Sequence, residues 1–571
     1  MGALDHIKVI DFGHYIAGPL AGMLLADQGA DVIKIDPPGG PRWDSPGNAT
    51  WNRGKRSITL DLKTPSDLET AKSLIATADV VVENFRPGVM EKLGLGNKQA
   101  LTDNPSLVYC SIPGFANDDD RSGIQAYEGI LGASAGTYRP MGSSGGKPVY
   151  TAIPIASTYG AFQSVVAITM ALNARERDGV GQYIEMPLFD SMFQSIGHHG
   201  LRVHNAPPAG PTLGDLWGGI YRCKDGEWVR FGGPGNQNFR PFVELAGITS
   251  WDSEGLTDFS VPLDDPGFTA MVTDRINELF MTRTAQEWEN LIAEAGSEGS
   301  VCRTSAEWFE HPHARESEMV VEVEDQVLGK MLQPGINARM SLTPGKVRGP
   351  APTPDQHRVE ILAELKAVSN PVKVTSIEDT LRNALEGIKV LDLCIILAGP
   401  TMGRTLGEYG ADVIKIDNPK RGSFVARHND INRGKRSILL DLKSEEGRDI
   451  FWKMLEDADV VAQNYRAGAV QKLGLSYEEV SKRKPDIIYA SLNAYGHVGP
   501  WAGRPGHEGF AQATAGMTRR LGGDSKPESQ PNPVNDYGTG LMGAYGVALA
   551  LLHRRSTGKG QHIDSALAYT A

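Results

Sequence analysis

Cysteine is scarce in this sequence. Cys110, Cys223, Cys302 and Cys394 are the only four among 571 residues, and their wide spacing excludes a disulfide framework or a zinc site and favours a reducing, cytoplasmic setting. No charged segment followed by an apolar one opens the chain, and no stretch of about 18 residues is uninterruptedly apolar, so neither a leader nor a membrane span is expected. A basic excess is also missing. With 57 Lys and Arg against 69 Asp and Glu, the formal charge of -12 argues against nucleic acid as a partner. There is no Walker A motif, and the turn "FGHYIAGPLAG" lacks the spaced G-x-G-x-x-G of a dinucleotide site, although Asp36 follows at a suitable distance. No metal-ligand spacing occurs, so no metal is expected.

The chain does have enough apolar sequence for large cores: 40% of its residues are hydrophobic and 22% charged, and its length corresponds to roughly three or four domains' worth of material. It also contains itself twice. "LDHIKVIDFGHYIAGPLAGMLLADQGADVIKID" from Leu4 returns as "LEGIKVLDLCIILAGPTMGRTLGEYGADVIKID" from Leu385, "NRGKRSITLDLK" from Asn52 as "NRGKRSILLDLK" from Asn432, and "ADVVVENF" from Ala78 as "ADVVAQNY" from Ala458. An ordered repeat at one nearly constant offset marks a duplication of a whole domain.

Within each copy, short β-branched runs alternate with helical spacing, which predicts an α/β fold with a parallel sheet. The expected organisation is a first large domain over 1–218, an inserted small α+β domain over 219–325, a return segment to the first large domain over 326–368, a linker over 369–386, and an incomplete second large domain over 387–571. The linker is expected to carry at most a short helix.

Basic residues gather near strand ends in both copies: Arg53, Lys55, Arg56 and Lys63, then Arg433, Lys435, Arg436 and Lys443. They read either as solvated surface charge or, because open parallel sheets bind ligands at strand ends, as an anion site. One further position separates the copies. "NPVNDYGTG" carries Asp536 ahead of a helical run, where "IPIASTYGA" carries Ser157. Both residue types are favoured helix N-caps, yet only the carboxylate can accept an acyl group. Its reference pKa near 3.9 would leave it ionised at pH 7.

The ordered set V-x-D-x(5)-AGP, GADVIKI, NRGKRS-x-x-LDLK, N-F/Y-R-x-G and G-x-GQ resembles the class III CoA-transferases, the family of formyl-CoA transferase and crotonobetainyl-CoA:carnitine CoA-transferase. Two copies in one chain are similar to its double-length members, among them the dimethylsulfoniopropionate CoA-transferase/lyase. The resemblance implies Rossmann-like large domains, and an intramolecular pseudo-dimer in which a homodimer stays possible. It also implies CoA as co-substrate, with an acyl-CoA and a small carboxylic acid as partners.

It further implies Asp536 as the catalytic carboxylate, passing through a mixed anhydride and an aspartyl-CoA thioester. Gly232 and Gly233 of "GGPGNQNF" would form a glycine-rich loop closing over it. CoA would be held at Ala398, Leu440, Lys443, Asn464 and Lys472, with counterparts Ala17, Lys63, Asn84 and Lys92 in the first copy. Ile16 and Leu397 stand where formyl-CoA transferase has glutamine, which speaks against formyl or oxalate as substrate. His507 and Glu508 lie where the related α-methylacyl-CoA racemases keep their "GHD" histidine, so proton transfer by His507 and Asp536 is the alternative. A non-catalytic CoA-binding module is the second.

Overall fold

The computed structural model describes residues 2–571 except Asp44, 141–146, Ala152, 201–209, 234–238, 368–381, 422–428 and Ala467. Residues 369–381 of the linker lie outside the described residues, as does the middle of the glycine-rich loop.

The first copy builds a sheet from β1 (Lys8–Asp11), β2 (Asp31–Asp36), β3 (Arg56–Thr59), β4 (Val80–Glu83), β5 (Val108–Ser111) and β6 (Gln182–Glu185). Its order is β3-β2-β1-β4-β5-β6, parallel throughout. Val, Ile and Cys side chains are buried on both faces of these strands, as a parallel sheet covered by helices requires. Three helices matter for the site: α1 (Ala17–Asp27), α2 (Glu128–Ser134) and α3 (Ile155–Asp178). By length and composition α3 could cross a membrane, but 89% of its most apolar window is buried inside the protein. It is a core helix.

The small domain has its own core around Trp217, Phe231, Phe242, Phe280 and Trp288, under an antiparallel sheet of β7 (Gly218–Arg222), β8 (Trp228–Gly232) and β9 (Gly299–Val301). A hairpin of β10 (Val320–Asp325) and β11 (Gly329–Pro334) follows. The chain does not then return directly to the first sheet. Strand β12 (Arg339–Met340) first pairs with a strand of the second copy, and only afterwards does α4 (Arg358–Ala367) pack along β3, burying Ile361.

The second copy repeats the first with β13 (Lys389–Asp392), β14 (Asp412–Asp417), β15 (Arg436–Leu439), β16 (Val460–Gln463), β17 (Ile488–Asn493) and β18 (His562–Ala566). Its sheet runs β12-β18-β17-β16-β13-β14-β15, so first-copy residues supply one edge. Helices α5 (Ala398–Glu408), α6 (Glu508–Ala515) and α7 (Val534–Thr557) correspond to α1, α2 and α3.

The two copies share one core, in which Leu24, Val165 and Ile168 of the first join Met402, Val547 and Leu551 of the second. At its centre α3 and α7 run side by side in the same sense. The Tyr159 hydroxyl donates to the Val534 carbonyl near their starts, and Asn173 Nδ2 to the Ala548 carbonyl at 3.0 Å farther along.

Candidate active site

The N-terminus of α7 does not have the expected cap. Its N-cap is Pro533, which makes no side-chain cap, and Asp536 lies in the first helical turn; α3 likewise starts after Pro154, with Ser157 at the matching place. A glutamate at the start of an earlier helix, Glu128 of α2 or Glu508 of α6, does the capping in both copies. Glu508 accepts from the Asp536 N–H at 2.7 Å and from Asn535 Nδ2 at 3.0 Å, with Gln512 Nε2 adding a bond at 2.7 Å. In the first copy, Glu128 accepts from the Ala156 and Ser157 N–H groups at 2.6 and 3.2 Å and from the Ser157 hydroxyl at 2.8 Å. The reading of Asp536 and Ser157 as caps is therefore corrected: the orphan N–H groups of the first turn are satisfied from outside the helix.

Asp536 consequently faces a second carboxylate. It is 7% exposed, and its own oxygens accept no hydrogen bond among the described residues. Burial, reinforced by the Glu508 charge, pushes Asp536 well above the ordinary carboxylate range, and burial pushes Glu508 to about 7. The expectation from a free aspartate, ionised at pH 7, fails because desolvation and a like charge both oppose ionisation. Glu508 accepts three donors and Asp536 none, so the proton of a half-ionised pair resides on Asp536.

Helix geometry fixes what lies opposite. Residues four apart share a helix face, and a Cβ on Gly540 would come within 2.6 Å of Thr401 Cβ and 2.7 Å of the Ala398 carbonyl oxygen. Farther along, Gly543 meets Met402. One turn before Gly540, Asp536 therefore sits towards the turn that precedes Ala398. There Ile396 has a φ of 67°, a strained conformation for a β-branched residue. Asn464 clamps the turn, accepting from the Ile395 N–H and donating to its carbonyl, both at 2.7 Å. Gly399 closes it, since a Cβ there would lie 2.4 Å from Cys394 Sγ; that close approach is the physical content of the AGP motif.

Of the proposed CoA contacts, Ala398 and Leu440 are buried, at 4% and 6% exposure, and the Asn464 amide is engaged by the turn. Lys443 and Lys472 are exposed and make no ion pair among the described residues. Ala17, Asn84, Lys63 and Lys92 repeat this distribution in the first copy.

The remaining basic residues divide between buried ion pairs and pairs at the surface. Arg53 is buried against Asp27, Lys55 against Asp11, and Lys435 against Asp392; Arg56 pairs with Asp31, Glu360 and Glu364, Arg433 with Glu408, and Arg436 with Asp412. Arg53, Lys55 and Lys435 are structural cations, whereas Arg433 and Arg436, with side chains 62% and 64% exposed, are surface charges. Spacing alone could not separate them from free ones, because their acids come from distant strands and helices.

The small domain of the first copy covers α6. A Cβ on Gly232 would approach the Phe510 ring to 2.8 Å, and the Gly232 N–H already donates to the Glu298 carbonyl at 2.9 Å, so this glycine contributes close approach and no free donor. Gly233 has a φ of 66° and would bring a Cβ within 2.8 Å of the Gly218 nitrogen.

Glu298, which sequence reasoning missed, takes His507 Nδ1 at 3.0 Å and Arg466 at 3.3 Å. Burial alone would raise its carboxyl, but His507 and Arg466 hold it below its ordinary value. His507 is thus turned towards the small domain. No group of three or more metal-ligating side chains occurs among the described residues.

The fold and this pair of carboxylates define a duplicated α/β protein with two buried, facing acids in one copy. The family model for CoA-transferase family III matches residues 4–358 and 385–571, and the chain belongs to that family. It is 29% identical to the CoA-transferase/lyase DddD of Marinomonas sp. (strain MWYL1), over 97% of this chain and 73% of that protein. Identity to the probable CoA-transferase Rv1866 of Mycobacterium tuberculosis is 30%, over 95% of this chain and 72% of the relative. Succinyl-CoA:mesaconate CoA-transferase of Haloarcula hispanica is 31% identical, covering 64% of this chain and 96% of its own. Among solved structures, Rv3272 from M. tuberculosis superposes with a TM-score of 0.55 at 27% identity, over 63% of this chain and 98% of that one.

Proposed function

We propose that this CoA-transferase moves CoA from an acyl-CoA thioester to a carboxylic acid through Asp536. The observation that supports it is the Asp536–Glu508 pair beside the strained Cys394–Leu397 turn, where the first copy has one carboxylate and a serine.

Loss of a proton from the pair frees Asp536 to attack the thioester carbonyl, and the tetrahedral intermediate collapses to a mixed anhydride and CoA thiolate. Thiolate attack on the aspartyl carbonyl then releases the donor acid and leaves an aspartyl-CoA thioester. The acceptor carboxylate attacks that thioester, forming a second anhydride and again freeing the thiolate. Thiolate attack on the acceptor's acyl carbon yields the new acyl-CoA and restores Asp536. Glu508 holds the N–H groups of the first turn in place and shares the proton that must leave. Gly233, on the loop over α6, is the candidate donor to the oxyanion.

Succinyl-CoA is the first donor to test, because the names of several relatives specify it. Hydroxylamine added during turnover should convert Asp536 to a hydroxamate, visible in the mass of its peptide and dependent on acyl-CoA. Unmodified Asp536 during acid-dependent exchange sinks the reading, as does CoA binding without any acyl-enzyme. Deuterium uptake at Cα of a chiral acyl-CoA, without an acceptor acid, would establish the His507 chemistry in its place.

A further inference from the structure

We propose that Tyr537 and Asp430 are positioning residues for the transfer step, fixing the turn of α7 that carries Asp536; this rests on the reading of Asp536 as the acyl carrier. Two observations support it: how that turn is tied down, and what the first copy has in the same places.

Every residue of the first turn of α7 is tied to something outside the helix. The Val534 carbonyl accepts from Tyr159 of α3, and Glu508 of α6 takes Asn535 Nδ2 and the Asp536 N–H. Tyr537 completes the set. Its hydroxyl donates to Asp430 Oδ2 at 2.5 Å and accepts from the His198 N–H at 2.9 Å, so it joins the Asn429–Asn432 turn of the second copy to the Gly197–Gly200 turn of the first. Glycine is required at 197, where φ is 60° and a Cβ would lie 2.2 Å from the Tyr537 ring. The ring itself is buried, at 2% exposure.

Burying a carboxylate costs free energy unless it is well paired. Asp430 is 7% exposed, and only its Oδ2 has partners, Tyr537 and, at 3.5 Å, Arg404 Nη1. Asp430 Oδ1 has no hydrogen-bond partner, and Arg404 Nε has only the ion pair with Glu408 at 3.6 Å. Asp430 therefore depends heavily on the Tyr537 hydroxyl. Burial, with the Asp430 bond and charge, holds that hydroxyl well above its ordinary range, so it stays a donor.

The first copy shows that this link is not needed to form such a helix. Met23, Thr50 and Thr158 stand at the positions of Arg404, Asp430 and Tyr537, yet α3 is as long as α7 and starts in the same way. The link occurs beside the aspartate and not beside Ser157. When the Asp536–Glu508 pair loses its proton, like charges push the Asp536 turn away from α6. The tie from Tyr537 to two other segments opposes that displacement, and a shift of about 1 Å in a reacting group can cost on the order of 100-fold in rate.

The rate of hydroxamate formation at Asp536 of the intact chain, with succinyl-CoA and hydroxylamine, tests this. Tyr537→Phe should lower the maximal rate about 10- to 100-fold and leave the half-saturating succinyl-CoA concentration within about 2-fold of the parent. Its acid limb should move to lower pH, because Asp536 is freer of the Glu508 charge. Asp430→Asn, which keeps an oxygen for the Tyr537 hydroxyl, should react at least about 10-fold faster than Asp430→Ala; circular dichroism and thermal unfolding verify that each variant is folded. A Tyr537→Phe protein with the parental rate and limb, whatever its melting temperature, overturns the proposal, as does Asp430→Asn no faster than Asp430→Ala. The two readings fail differently: a parent that exchanges CoA with Asp536 unmodified refutes transfer through Asp536, whereas hydroxamate forming equally fast in parent and Tyr537→Phe removes only the positioning role.

Discussion

Helices α3 and α7 are both 24 residues long, both follow a proline, and both have a first turn capped by a glutamate, from α2 and α6 respectively. They differ in the residue beside that glutamate, Ser157 in one and Asp536 in the other. The serine donates a hydrogen bond to its glutamate. The aspartate meets its glutamate as a like charge, and both acids are raised. The first copy therefore shows the stable way to build this helix start, and the second shows the same start carrying unfavourable electrostatics of the kind reactive sites carry.

The largest expected effect comes from making the second copy resemble the first. Asp536→Ser or Asp536→Asn should lower kcat by on the order of 1,000-fold or more, measured as CoA exchange, because neither replacement side chain can form the mixed anhydride. Next come the paired lysines. Lys435→Met should cost about 3–5 kcal/mol in denaturant unfolding by stranding the buried Asp392, and Lys55→Met a comparable amount by stranding Asp11; equal losses would confirm the ion pair as structural in both copies.

The reverse graft, Ser157→Asp, places a second carboxylate beside Glu128 and should cost about 1–3 kcal/mol at pH 8. A folded-state pKa above the unfolded value means stability that is fully present below the unfolded carboxylate value of about 4 and lost as pH rises through the raised folded value. The penalty of Ser157→Asp should accordingly vanish in acid, and Asp536→Asn should exceed the parent in stability at pH 8 but not in acid. Smallest is a shift of the activity profile. The rate should climb with pH as the Asp536–Glu508 pair, both of whose acids are raised, loses its proton, and Glu508→Gln, which keeps an acceptor for the Asp536 N–H while removing the like charge, should move that limb to lower pH.

The duplication, the alternation of strand and helix and the position of Asp536 could be read from local pattern. Apolar period and a repeated motif depend only on neighbours along the chain. Glu298 gave no signal, because its significance lies in reaching Arg466 and His507 across about 170 and 210 residues of sequence. The basic cluster misled for the same reason. Arg53 and Lys443 look alike as letters, and only the buried ion pair of Arg53 with Asp27, against an exposed Lys443 that makes no ion pair among the described residues, tells them apart.

By itself the sequence determined two α/β copies, a carboxylate in one of them, and the residues of the strained turn. Tertiary structure decided that Glu508 caps the Asp536 helix and opposes its ionisation, that the small domain of one copy covers α6 of the other, and that β12 crosses between sheets. These depend on distances through space and on dielectric surroundings, and neither is encoded in the order of neighbouring residues.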